Sequence, residues 1–295
     1  MLLSRIHNLF EKRPIIYVCV NKDASKGPTQ DFIPQAPCRQ LPSFLKTIVM
    51  KKFTLSLFSA FLLSGMMMAE NHQTAPDKYF LVEEQVVNSQ NLLPPPPTAE
   101  SGRFSYDVEQ YQWGKKMRDT DRGQLAVRDA NLNEGWIDRV FSESFGFELT
   151  PENAPEIYKL ISGMKEDAGD LATRDAKNHY MRPRPFMVFC ETSGTPDDEE
   201  GLRKNGSYPS GHTSIGWASA LVLSEINPAR QDEIIQRGYE FGQSRVIVGA
   251  HFQSDVDMGR IVGSAVVASL HSDPGFLKQL EKAKKEFARL SKSKK

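Results

Sequence analysis

Cysteine is scarce in this chain of 295 residues: three occur, and two of them, Cys19 and Cys38, precede residue 50. Cys190 is the sole cysteine after that point, which is too few for an internal disulfide or a cysteine-rich zinc site. Stability has to come from an apolar core, and the 226 residues after Ala69 are enough to bury one. Net charge is missing too, with 37 Lys and Arg against 37 Asp and Glu. That balance is uneven along the chain. Residues 1–69 hold nine basic and three acidic residues, leaving 28 basic against 34 acidic residues in the remainder. A body with about six excess negative charges offers no broad basic surface for nucleic acid, so any anion site must be local. Long apolar runs are also lacking. The run Phe53–Met68 is short for a membrane span, and no later stretch is longer and as apolar. Internal repeats are absent and alternating strand patterns are scarce.

What is present begins with Met50-Lys51-Lys52, a short basic patch ahead of the apolar run, then Ala69 and the polar Glu70-Asn71-His72. That layout is a secretory signal peptide over residues 50–69, with cleavage expected after Ala69 and export of the remainder. An N-terminal membrane anchor is the alternative reading. Residues 1–49 mix charges and prolines without a sustained period, and are expected to be an upstream artefact or an unstructured extension. Residues 70–105 contain the tetraproline Pro94–Pro97, which favours an extended strap across the surface of the main body.

The remainder, 106–295, reads as one mostly α-helical domain. Tyr106–Leu132 is charged and helix-compatible, Asn133–Trp136 interrupts it, and Ile137–Phe145 resumes a helical pattern. Thr150-Pro151-Glu152 resembles a helix start. Behind it, Ile157, Leu160, Ile161, Met164, Ala168, Leu171 and Ala172 recur at three and four, one face of a long helix reaching about Asn178. Arg182-Pro183-Arg184-Pro185 ends it. Thr192–Gly206 reads as an exposed loop. Further helices are expected near 215–226, 229–242, 255–270 and 274–291, the last with a stripe of Leu277, Leu280, Phe287 and Leu290.

Three groups of cationic and small residues lie at the edges of these helices. Lys177 and Arg184 stand seven residues apart across a helix end. Pro209-Ser210-Gly211-His212 sits where a loop becomes a helix. Ser244-Arg245 is followed by His251 and Asp255. Singly, each has a bland reading: solvated surface charge, helix cap, salt bridge, or a hydrogen-bonded pair at i,i+4. Together they supply what phosphoryl transfer needs. Two arginines, a lysine and helix-start amides hold phosphate oxygens. His251 attacks phosphorus if Asp255 holds its other ring nitrogen. His212 protonates the leaving group, then activates water. No metal or other cofactor is required by that scheme.

Lys177–six residues–Arg184-Pro185, Pro209-Ser210-Gly211-His212 and Ser244-Arg245–five residues–His251–three residues–Asp255 resemble the acid phosphatase superfamily that includes type-2 phosphatidic acid phosphatases and vanadium haloperoxidases. Within it, the tetraproline strap, Gly206–Thr213, Gly242–Arg245 and Leu270–Pro274 are most similar to the class A bacterial non-specific acid phosphatases. The resemblance covers about Tyr79 to the C-terminus. It implies an all-α multi-helix bundle, a periplasmic homo-oligomer and metal-independent hydrolysis of small phosphomonoesters such as nucleotides, sugar phosphates or aryl phosphates. It also implies roles. Lys177, Arg184, Arg245 and the amides of Ser210 and Gly211 bind phosphate, His251 is the nucleophile, His212 the general acid and base, and Asp255 orients His251. Glu166, Asn133–Trp136 and Ile215 are candidates for the rim of the leaving-group pocket. Competing readings are a vanadate-dependent haloperoxidase, a non-catalytic phosphate-binding protein, and a metal site on His212, His251 and Asp255. An integral-membrane lipid phosphatase would need several spanning helices.

Overall fold

The computed structural model describes residues 79–293. The expected extension, signal peptide and first part of the strap lie outside them. The described residues form one compact unit. Its helices are α1 (Ser89–Leu92), α2 (Gly102–Met117), α3 (Asp121–Asp129), α4 (Trp136–Phe145), α5 (Pro155–Gly163), α6 (Arg174–Tyr180), α7 (Pro185–Val188), α8 (Glu199–Arg203), α9 (Gly211–Ile226), α10 (Gln231–Ile247), α11 (Gln253–Leu270) and α12 (Pro274–Ser293). A π turn, Asp167–Leu171, joins α5 to α6. No strand occurs among the described residues, so the all-α architecture agrees with the expectation.

Helix α9 is the centre. Its buried residues, among them Thr213, Ile215, Ala218, Ala220, Val222, Leu223 and Ile226, lie all round the helix, as they must when neighbours cover every face. Helices α10 and α11 flank it, and small residues let them approach. Gly216 lies against the Phe241 ring of α10, and Gly263 of α11 against the Ser214 carbonyl. The start of α9 meets the π turn just as tightly, since a Cβ on Gly211 would lie 2.5 Å from the Gly169 carbonyl oxygen. Only glycine permits that approach.

Helix α12 packs on α5 through Phe276, Leu280, Ala283, Phe287 and Leu290, a stripe spaced four and three. Leu277, expected in that stripe, is exposed instead. Glu286 of α12 is buried and accepts the amides of Glu156 and Ile157 at the start of α5, which places a carboxylate at the positive end of that helix.

The single long helix expected from Thr150 to Asn178 is divided. Pro155 has no amide to donate and would clash within a helix begun at Thr150, so α5 starts at Pro155 itself. The expected apolar face nevertheless stays buried across the π turn, from Ile157 through Ala172. Likewise Tyr106–Leu132 is two helices, because Thr120 accepts the Gly123 amide and starts α3. Thr192–Gly206 contains the short helix α8, and α2 begins at Gly102, capped by Ser101. Cys190, expected to stand alone, is disulfide-bonded; the other two cysteines of the chain lie outside the described residues.

The segment ahead of α2 is tied to the body at several points. The amides of Phe80 and Leu81 donate to the buried Asp167 carboxylate at 3.1 and 2.9 Å. The Ala176 amide donates to Ser89 Oγ at 3.1 Å, and the Tyr208 hydroxyl donates to the Pro94 carbonyl at 2.6 Å. Burial pushes the Asp167 carboxyl up from 3.8 to about 6, against the opposing pull of the Phe80 and Leu81 amides. The folded protein therefore holds this proton more tightly than the unfolded chain, and this group's contribution to stability falls as pH rises from about 4 to about 6. Thermal unfolding across that window is expected to show the decline in the wild type and to lack it in Asp167→Asn. An unchanged decline in the variant would assign it elsewhere.

Candidate active site

One cavity of about 380 Å³ gathers Lys177, Arg184, Gly211, His212, Arg245 and His251 in its wall. Each arrives from the end of an element. Lys177 belongs to α6, which Met181 closes in a left-handed conformation, φ 42°. Arg184 is extended, as a residue before proline must be, and its side chain turns inward. Gly211 and His212 open α9, where the first amides have no acceptor within the helix. Arg245 lies in the last turn of α10, and the turn after it delivers His251 ahead of α11.

The three cations are buried, with side chains 2–8% exposed. Arg184 is held by main-chain oxygens: Nε donates to the Leu202 carbonyl at 2.9 Å and Nη1 to the Ala250 carbonyl at 3.1 Å. Lys177 Nζ donates to the Gly206 carbonyl at 2.9 Å. Arg245 differs, because its Nε and Nη1 are buried without any hydrogen-bond partner. Leaving a buried cation's donors unmet is costly, and an anion bound in the cavity would meet them. Burial, then the neighbouring Arg184, brings the Lys177 ammonium down to about 7. Burial and Arg245 bring Arg184 down to about 10, and burial brings Arg245 down to about 10 as well.

The two histidines are held in opposite tautomers. Arg184 Nη1 lies 3.0 Å from His251 Nε2. A guanidinium only donates, so Nε2 presents its lone pair and the proton sits on Nδ1. That Nδ1 faces Asp255 Oδ2 at 3.5 Å, within ion-pair range but without a hydrogen bond. For His212 the contact is Nε2 to the Asp129 main-chain oxygen, 2.6 Å. A carbonyl only accepts, so Nε2 carries the proton and Nδ1 the lone pair. Burial is the main reason both imidazoles lie well below 6.5, with Arg245 adding to it at His212 and Arg184 at His251. Both are therefore neutral in the free protein.

Asp255 does not line the cavity but stands behind His251. Its Oδ2 accepts the Phe252 amide at 2.8 Å, and its Oδ1 takes Arg182 Nη1 at 2.5 Å. Burial alone would raise its carboxyl, yet the charge of Arg182 and the contact with His251 hold it well below the usual range. Arg182 also donates to Asp107 Oδ2 at 2.8 Å and lies over the Phe252 ring. Asp107 in turn accepts the Ser254 amide and hydroxyl.

Ser210 is placed differently from the expectation. Its amide donates to the Asp255 carbonyl at 2.9 Å, and its Oγ accepts from Thr213, so it caps α9 and is turned away from the cavity. Glu166 and Ile215 line the cavity as expected of a rim. Asn133 belongs to an adjacent hollow of about 380 Å³, and Trp136 is buried in the core. Sequence reasoning passed over Asp107, Asp129, Arg182 and Arg237. Of these only Arg182 carried a signal, the doubled Arg-Pro, which was read merely as a helix terminator. Among the described residues no group of three or more His, Cys, Asp or Glu side chains is placed to hold a metal ion. No helix among them is long and apolar enough to cross a membrane. Arg182→Met would strand two buried carboxylates and is expected to lower stability by about 3–5 kcal/mol in urea unfolding. Adding Asp107→Asn is expected to restore part of that, whereas additive losses would show the pair to be uncoupled.

Residues 168–277 match the PAP2 superfamily, and this stretch contains all three clusters. The chain is 57% identical over 219 residues to a non-specific acid phosphatase of Providencia stuartii, covering 74% of this chain and 88% of that one. It is 46% identical to a non-specific acid phosphatase of Salmonella typhimurium, over 69% of this chain and 82% of the relative. An acid phosphatase of Zymomonas mobilis is 38% identical, over 66% and 74% respectively. With the cation-lined cavity and its histidine pair, these likenesses identify the chain as a member of the non-specific acid phosphatases of the PAP2 superfamily, and as an acid phosphatase by activity.

Proposed function

We propose that hydrolysis runs through a covalent phosphohistidine on His251, and the observation that carries this is Arg245, buried with two unmet donors in the same cavity wall as His251, whose Nε2 presents its lone pair. A phosphomonoester seats its phosphoryl oxygens on Arg245, Arg184, Lys177 and the α9 amides beginning at Gly211. Arg184 passes its Nη1 hydrogen bond from His251 to a substrate oxygen, which frees Nε2. That lone pair attacks phosphorus, the P–O bond to the leaving group breaks, and the proton carried in by the monoanionic substrate passes through the His212 Nδ1 lone pair to the departing oxygen. Positive charge on the phosphoimidazole is balanced by Asp255 across Nδ1. In the second step His212 Nδ1 takes a proton from water, the new O–P bond forms, the N–P bond breaks to release phosphate and neutral His251, and His212 passes its proton to the released phosphate. An alcohol in place of that water gives phosphotransfer.

The acid preference is a matter of proton placement. His212 and His251 are neutral in the free protein, so the proton for the leaving group arrives with a monoanionic substrate. Phosphate esters lose that proton near pH 6. Lys177, at about 7, loses its charge shortly above.

Small phosphomonoesters, including nucleotides, sugar phosphates and aryl phosphates, are the proposed substrates, with no metal or other cofactor. Residues 50–69 act as the export signal, the segment ending at Ser101 forms the strap, and the mature domain works in the periplasm as a homo-oligomer. The reading is tested with p-nitrophenyl phosphate and a chelator, on residues 70–295 and on their His251→Ala variant. Wild-type kcat/KM is expected to fall as pH rises from about 6 to above 7, and the variant to lose at least about 100-fold. Equal rates in the two proteins would remove His251 as nucleophile, and a rate rising through that pH range would contradict the proton placement.

A further inference from the structure

We infer that Asp129 and Arg237, with the Phe241 ring, are positioning residues for His212, acting on transfer of the leaving-group proton rather than on phosphate binding. The inference rests on the proposed role of His212 and adds what fixes it. The His212 ring stacks on Phe241, centroids 4.7 Å apart and planes 13° apart, while Nε2–H donates to the Asp129 main-chain oxygen. One contact sets the plane of the ring and the other its rotation within that plane, so Nδ1 is left with one direction.

That main-chain oxygen sits at the end of α3, where a helix would ordinarily fray. Here it is anchored through the side chain of the same residue. Asp129 is buried and takes Arg237 in a two-pronged pair: Nη1 donates to Oδ2 at 3.1 Å and Nη2 to Oδ1. Ser244 Oγ adds a third bond to Oδ2 at 2.6 Å, and Arg122 donates to that hydroxyl at 3.0 Å. Arg237 is fixed in turn by the Val140 carbonyl at 3.1 Å. Asp129 thus joins α3 to α10, the helix that also carries Phe241 and Arg245. Orienter and platform move as one piece. A bidentate arginine–carboxylate pair is the contact suited to this, because it fixes angle as well as distance. No atom of Asp129 or Arg237 is needed to touch substrate, and neither lines the cavity.

A residue that aims a proton donor leaves a particular trace. Losing the donor hurts poor leaving groups most, since a good one departs without its proton. The test measures kcat/KM for p-nitrophenyl phosphate, phenyl phosphate and an alkyl phosphate, on the wild type, His212→Ala, Arg237→Gln, Arg237→Lys and Asp129→Asn. Inhibition by inorganic phosphate is measured on each as a check that the cavity is intact. Arg237→Gln and Asp129→Asn are expected to lose about 10-fold or more on the alkyl ester and less than about 3-fold on p-nitrophenyl phosphate. Phosphate inhibition should stay within about 3-fold, and Arg237→Lys should recover part of the loss by keeping the charge.

Equal losses on all three substrates, or weakened phosphate inhibition, would make the pair merely structural and overturn the inference. If His212→Ala steepens the dependence on leaving group while the Arg237 and Asp129 variants do not, the positioning inference alone fails. If His212→Ala does not steepen it, the role proposed for His212 fails and this inference with it.

Discussion

A buried guanidinium with unmet donors is the constraint around which the rest of the site is arranged. Arg245 is almost wholly enclosed, yet two of its nitrogens have no partner. Lys177 and Arg184 share the same cavity, so each cation raises the cost of the others, and both are pushed below their ordinary pKa values with burial as the leading cause. A core that served stability alone would not concentrate like charges in this way. In the proposed reaction an arriving phosphoryl group would meet those donors and offset the repulsion, drawing binding strength and charge stabilisation from groups already in place.

The surrounding structure keeps that cluster from relaxing. Behind His251 stands the chain Asp255, Arg182, Asp107; behind His212 stands the Asp129–Arg237 pair. Each is an arginine with buried carboxylate partners, placed away from the cavity wall and linking helices distant in sequence. Opposite tautomers result from what each histidine faces. A guanidinium at Nε2 leaves His251 a lone pair there, and a carbonyl at Nε2 leaves His212 its lone pair at Nδ1. In the proposed reaction one imidazole forms the bond to phosphorus and the other moves a proton.

Legibility in the sequence depended on chain distance. Lys177, Arg184, Gly211, His212, Arg245 and His251 could be read because each sits at a helix end, where prolines, glycine and cap residues fix its place locally. The helices around them were legible from the three-and-four spacing of apolar residues. The supporting pairs were not. Arg182 finds Asp107 from 75 residues away, and Ser244 finds Asp129 from 115, separations over which no periodicity carries information. The family resemblance implies that the Ser210 amide binds phosphate, but that amide donates to the Asp255 carbonyl, and the Ser210 oxygen caps the helix. The π turn escaped notice because its apolar positions keep facing the core while the backbone hydrogen bonding changes beneath them.

The covalent step is the claim on which the remaining roles hang. The most direct measurement is rapid acid-free quenching of the enzyme during turnover of p-nitrophenyl phosphate, with peptide mass spectrometry and ³¹P NMR then used to locate bound phosphorus. Phosphate on Nε2 of His251, the nitrogen that Arg184 Nη1 faces, is the expected result. Phosphate on another residue, or stoichiometric turnover with no phosphorylated enzyme under conditions where His212→Ala also fails to accumulate it, would contradict it.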